Sequence, residues 1–253
     1  VLESYIRKKL DEKDILLMTH VVLGYPSFDD NIRIIEAMVA AGVDLMELQV
    51  PFSRSTADGP VITHASQQAL KGGATVSDCF NLAKKVASTF SIPFVMMSYY
   101  YPVLKYGVER FVRSMSNCGL YGSIIPDLPA QDGREFLKVM KAFHLAPIPI
   151  FSPSASLDRM RSIASSGSGF IYCVARTGVT GENTDFSGEL AKYLLRCRKS
   201  TTLPLALGFG IKEKANINFL KGKADIAVIG SQTIRVMEQG GIAAVGNFIR
   251  GLC

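Results

Sequence analysis

With 253 residues, 48% of them hydrophobic and 20% charged, the chain can bury one large core and is too apolar to be disordered. The formal charge is +6, but the densest basic clusters, Arg7-Lys8-Lys9 and Lys212-Glu213-Lys214, are short and lack interleaved aromatics. That excludes a nucleic-acid surface and a membrane surface, and leaves solvated helix faces or a small anionic ligand. The five cysteines are scattered and never form Cys-x-x-Cys, the first residues have no signal-peptide core, and the longest apolar stretch, from Ile92 to Leu104, is interrupted by Ser, Tyr and Pro. A soluble, cytoplasmic protein in a reducing compartment is expected, with no disulfide framework and no metal site.

Eight short runs read as strands because they are almost continuously apolar, as parallel strands covered on both faces must be. The first, Ile15–Val22, ends in Leu23-Gly24-Tyr25-Pro26. A helical stretch follows with apolar residues at Ile32, Ile34, Ile35, Met38 and Val39, and Asp30 stands where it would cap the start. The second strand, Leu45–Val50, carries Glu47 among apolar neighbours, and Asp58 lies in the loop beyond it. Strands at Phe94–Tyr99 and Gly122–Ile125 come next, with Asp78 and Asp132 as further capping candidates. Helical spacing at Phe136, Leu137, Met140 and Phe143 precedes strand Ala146–Ile150, and Leu157, Met160, Ile163 and Ala164 precede strand Phe170–Val174. Gly178-Val179-Thr180-Gly181 follows that sixth strand, Gly208-Phe209-Gly210 follows Pro204–Leu207, and Gly230-Ser231 follows Ile226–Ile229 and opens a short helix Gln232–Met237.

Eight strand–helix alternations with no break in composition predict a single α/β domain over 1–253, a (β/α)8 TIM barrel with a short N-terminal helix and an extra short helix before the last one. The competing architecture is a doubly wound open sheet, whose Gly-x-Gly-x-x-Gly turn after strand one is missing here. No Walker loop, His-Glu-x-x-His or Gly-x-Ser-x-Gly is present, and His20, His64 and His144 have no metal-ligand spacing and read as core or surface residues.

A barrel of this kind reacts at the C-terminal ends of its strands. Gly181, Gly210 and Gly230 converge there, and Ser231 adds a hydroxyl at a helix start, so a phosphate held by main-chain N–H groups is expected. The same glycines also suit ordinary turns. Glu47 is an acid inside a strand that should be buried; desolvation would raise its pKa and suit it to general acid–base work, or it accepts structural hydrogen bonds. Asp58 reads equally as a turn residue or a helix cap.

Taken together, Glu47-Leu48-x-x-Pro51-Phe52-Ser53, Ala57-Asp58-Gly59-Pro60, Tyr99-Tyr100-Tyr101-Pro102, Tyr106-Gly107, Pro126-Asp127-Leu128-Pro129, Arg176-x-Gly178-Val179-Thr180-Gly181, Gly208-Phe209-Gly210-Ile211 and Gly230-Ser231 resemble, in order and spacing, the tryptophan synthase alpha chain family. The resemblance covers nearly the whole chain. It implies a lyase that splits indole-3-glycerol phosphate into indole and glyceraldehyde 3-phosphate. Indole then passes to a beta chain that carries pyridoxal phosphate, in an α2β2 heterotetramer, and this chain needs no cofactor of its own. It further implies Glu47 and Asp58 as catalytic residues, Tyr172, Thr180 and Phe209 lining the substrate site, and Gly181, Gly210, Gly230 and Ser231 at the phosphate.

Several positions depart from that pattern. Gln49 stands where the family has Gly, and by strand alternation it points the same way as Glu47, to bond that acid or fill substrate space. Arg54-Ser55-Thr56 replaces Asp-Pro-Leu, which removes a loop proline and reverses a charge near the expected partner surface. Tyr25, Tyr101 and His20 are also unusual. These departures suggest a second reading, a catalytically weak subunit that mainly docks on the beta chain and activates it.

Overall fold

The computed structural model describes residues 1–128, 133–175, 188–208 and 210–252. Its strands are β1 (Leu16–Val22), β2 (Leu45–Gln49), β3 (Phe94–Met97), β4 (Gly122–Ile124), β5 (Ala146–Ile148), β6 (Ile150–Phe151), β7 (Ile171–Val174), β8 (Leu205–Gly208) and β9 (Ile226–Ile229). They lie in the order β5-β4-β3-β2-β1-β9-β8-β7-β6, and every pairing is parallel. The two ends of that order are consecutive pieces of chain, so the sheet closes into a barrel.

The fifth predicted strand is therefore one stave in two pieces, and its sequence explains the split. Pro147 and Pro149 accept from the N–H groups of Ser168 and Tyr172 at 3.0 and 2.9 Å but have no N–H to return. The layer outside this joint is loose too, because Phe136, Pro147, Pro149, Ile163 and Gly167 line a cavity of about 390 Å³.

Around the barrel run α1 (Leu2–Leu10), α2 (Phe28–Ala40), α3 (Pro60–Lys71), α4 (Val76–Thr89), α5 (Tyr100–Tyr106), α6 (Val108–Asn117), α7 (Gly133–Ala142), α8 (Leu157–Ala164), α9 (Gly188–Ser200), α10 (Lys214–Leu220) and α11 (Ser231–Leu252). Gly241, at φ 75° and ψ −177°, kinks α11 into a short piece over 231–240 and a final helix, as the sequence predicts. The caps differ from expectation. Ser27 and Thr75 are the N-caps of α2 and α4, while Asp30 and Asp78 occupy the third helical position and supply the N–H groups that those hydroxyls accept. A hydroxyl one residue before the first turn reaches that N–H directly, which leaves the aspartates to complement the helix dipole and, at Asp78, to close a capping box with the Thr75 N–H. Asp132 lies outside the described residues.

Side-chain alternation sorts the apolar residues into two cores. Leu17, Leu48, Met96, Ile171 and Leu207 point outward against the helices. Leu16, Met18, Leu45, Val95, Ile124 and Val228 point into the barrel. Leu2 and Ile6 of α1 join that inner cluster and are 2% and 0% exposed, so α1 plugs the N-terminal end. Each such side chain contributes about 1.5–3 kcal/mol by leaving water. With its floor filled, the barrel keeps its polar interior residues at the opposite end.

Candidate active site

Glu47 and Gln49 share a face of β2 with inward-facing Leu45, and they continue that row to the C-terminal end of the strand. His20 on β1 is the cross-strand partner of Glu47. Glu47 is 5% exposed and His20 4%. Among the described residues only four buried side-chain polar atoms lack a partner, and two of them, Glu47 Oε2 and His20 Nδ1, belong to this pair. Burial first, and the nearby Asp58 second, push the Glu47 carboxyl up to about 8, so it holds a proton at neutral pH. Burial holds His20 down at about 4, against a weaker opposing effect of its bond to Gln49, so the imidazole is neutral.

Asp58 is buried at the end of the loop after β2 and is not the cap of α3, whose N-cap is Gly59. Gln49 Nε2 donates to Asp58 Oδ2 at 2.7 Å. His20 Nε2 and Gln49 Oε1 are 2.6 Å apart. Because Oε1 can only accept, Nε2 carries the imidazole proton, leaving Nδ1 as a lone pair. Gln49 thus bonds Asp58 and His20 rather than Glu47. Tyr99, at the end of β3, hydrogen-bonds Asp58 as well, and its hydroxyl accepts from the Ala57 N–H at 3.0 Å. Burial raises the Asp58 pKa, and the bonds from Gln49 and Tyr99 oppose that rise. Asp127, in the Pro126-Asp127-Leu128 turn, accepts from the Tyr100 N–H at 2.8 Å and so fixes the start of α5 next to Tyr99.

Across the mouth, Tyr172 on β7 projects over β8. A Cβ added at Gly208 would collide with its ring, so Gly208 is small to admit an aromatic rather than an anion. Burial, then Glu47 and then Asp58, keep the Tyr172 hydroxyl protonated well above the usual phenol range. Gly210 and Gly230 lie just past the C-terminal ends of the paired strands β8 and β9, on one rim. Gly210 has φ +83°, a conformation that L side chains avoid. Among the described residues, a Cβ added at Gly230 would meet only Ile62 within 4 Å, at 3.9 Å. Ser231 opens α11, where first-turn N–H groups lack helical acceptors. Thr180, Gly181 and Phe209 lie outside the described residues.

Sequence reasoning gives two site residues no role. His20 stands out as a departure from the family pattern but otherwise reads as a core or surface histidine, and its parity with Leu16 and Met18 points it inward. Tyr99 sits inside a recognised motif but gains its role only from the contact with Asp58. Tyr25 also reaches the rim, where its hydroxyl donates to Glu238 of α11 and its ring meets His64 of α3 edge-on at 6.3 Å.

The family model described as tryptophan synthase alpha chain matches residues 6–247. The chain belongs to the tryptophan synthase alpha chain family. The tryptophan synthase alpha chains of Syntrophotalea carbinolica and Desulforapulum autotrophicum are each 56% identical over 252 residues, covering 100% of both chains in each pair. In solved structures, a chain of Mycobacterium tuberculosis tryptophan synthase superposes with TM-score 0.93 at 27% identity, covering 99% of this chain and 96% of that one. The alpha chain from Legionella pneumophila gives 0.89 at 25%, covering 99% and 95%. Membership makes the chain a lyase of tryptophan biosynthesis and does not favour the reading as a catalytically weak docking subunit. The contacts of Gln49 agree, because its amide donates to Asp58 and makes no hydrogen bond to Glu47 Oε2. Among the described residues there is no cluster of His, Cys, Asp and Glu able to hold a metal, and no helix is long and apolar enough to cross a membrane.

Proposed function

We propose that the mouth of this barrel cleaves indole-3-glycerol phosphate, with Glu47 as the proton shuttle and Asp58 as the partner of the indole N–H. The bond between indole C3 and the glycerol chain breaks once C3 gains a proton and the adjacent hydroxyl loses one. Protonated Glu47 gives its proton to C3. As a carboxylate it then takes the hydroxyl proton while the C–C electrons return to the ring, and it ends protonated again. Positive charge on the ring nitrogen in the intermediate is offset by Asp58, which accepts its N–H. Tyr172 walls the ring, and Gly210, Gly230 and Ser231 hold the phosphate, with Thr180, Gly181 and Phe209 completing the pocket in the family pattern.

The observation that carries this reading is Glu47, a carboxyl pushed up to about 8 with an oxygen that no described group satisfies. No cofactor enters these steps. We assign pyridoxal phosphate to a beta-chain partner in an α2β2 assembly, which would take up the indole.

The test is indole release from indole-3-glycerol phosphate, with and without a beta chain. Turnover that Glu47→Gln lowers by orders of magnitude is expected. Absence of turnover in both settings would overturn the assignment.

A further inference from the structure

We propose that Gln49 is a positioning residue: its amide, anchored by His20 on the neighbouring strand, fixes the carboxylate of Asp58 in one orientation at the mouth. The inference rests on the reading of Asp58 as the acceptor of the indole N–H. Asp58 ends an irregular segment, 50–59, that has no proline between Pro51 and Pro60. The Thr63 hydroxyl donates to the Asp58 carbonyl at 3.5 Å and meets the Ser55 hydroxyl at 3.2 Å, contacts that hold main chain and loop but not the carboxylate. The carboxylate itself is held by Tyr99 and by Gln49.

Gln49 is suited to this because its backbone is pinned on both sides, opposite Val22 of β1 and Met97 of β3, and it is 1% exposed. Its long side chain would otherwise sample rotamers. His20 removes that freedom. Turning the amide over would set its oxygen against the Asp58 carboxylate and would force the His20 proton onto Nδ1, where no described group accepts it. A carboxylate offers about four acceptor positions, so Gln49 on Oδ2 leaves room for an indole N–H. A strand-borne tether thus fixes the carboxylate, which the loop's own contacts through Ser55 and Thr63 do not touch.

Among the described residues, the charged and titratable groups around Asp58 are Glu47 from β2, Tyr99 from the end of β3 and Tyr172 from β7, with His20 of β1 behind the amide. Of these contacts, the N–H of Gln49 and the hydroxyl of Tyr99 favour the ionised form, so losing Gln49 moves the titration of Asp58 upward.

The experiment compares the wild-type chain with Gln49→Met and His20→Phe by two readouts. These are the pH dependence of indole-3-glycerol phosphate cleavage and the 13C titration of the Asp58 carboxyl, assigned with Asp58→Asn. Gln49→Met is expected to lower kcat by about ten- to a hundredfold, the loss of one bond to a charged group, while KM stays within about threefold. The Asp58 titration and the acid limb of the profile should move up together. His20→Phe should act in the same direction by about two- to tenfold, because the amide stays but loses its anchor, and this variant decides the matter if Gln49→Met does not fold. An Asp58 titration unmoved in the folded variants, or Gln49→Met cleaving at the wild-type rate or faster, would overturn the proposal. A wild-type chain that releases no indole would sink the functional reading instead, and the carboxyl titration, which needs no turnover, would still decide the tether.

Discussion

One half of the barrel mouth is made of side chains and the other largely of main chain. At the ends of β1, β2 and β3, His20, Glu47, Gln49, Asp58 and Tyr99 form a buried, bonded and titratable wall. At the ends of β8 and β9, Gly210, Gly230 and the first turn of α11 offer main-chain amides with few described side chains beside them. Side chains in a dry pocket acquire shifted pKa values, whereas backbone N–H groups do not titrate. The first half is therefore fitted to move protons, and the second to hold an anion whatever the pH.

The largest expected effect lies in the side-chain half. Glu47→Gln keeps the shape but cannot transfer a proton, so kcat should fall by about 10²–10⁴-fold with little change in KM. Steady-state cleavage measures it, and a loss confined to KM would break the contrast. In the wild type, kcat/KM should decline as pH rises through about 8, where Glu47 loses its proton.

The same substitution should stabilise the fold in alkali. The folded pKa of Glu47, about 8, lies above its ordinary 4.5, so the folded state binds the extra proton and loses stability as pH rises from 4.5 through 8. Glu47→Gln should raise the unfolding free energy by about 3–5 kcal/mol near pH 9 and by little near pH 5, as denaturant titrations at the two pH values would show. His20 works in the opposite direction. Its folded pKa of about 4 lies below 6.5, so its contribution is present above 6.5 and is lost as pH falls towards 4.

At the boundary between the halves, Gly208→Ala should push the Tyr172 ring aside and cost about 1–3 kcal/mol of stability by overpacking, with weaker cleavage as well. Unchanged thermal unfolding would show that the ring has another place to go. The smallest effect belongs to Ser231→Ala, which should raise KM about three- to tenfold and leave kcat and its pH profile alone, the loss of one hydroxyl bond to an anion. A change in that profile would blur the division of labour.

The barrel is legible in the sequence because parallel strands leave continuous apolar runs that need no long-range information to find. The rim proposed to hold the phosphate is legible in part, through glycines at strand ends, although Gly208 serves the Tyr172 ring instead. The acid wall is only half legible. Glu47 stands out as a charge in an apolar strand, but the role of Gln49 depends on a partner in the next loop and another on the previous strand, contacts that no local pattern encodes. His20 illustrates the same limit, since a histidine in a strand looks alike whether it fills space or clamps an amide. The proline-split stave could have been anticipated, as alternate prolines remove donors from one edge of a strand.

That stave gives the ring a preferred hinge line. Its prolines receive hydrogen bonds from one neighbour without giving any back, and the space behind them is incompletely filled. A hoop with one slack joint deforms there first. Tyr172, whose own N–H bonds across that joint to Pro149, stands on its edge, so any adjustment to a bulky ring is expected on its side rather than in the opposite wall, woven through β1 to β3.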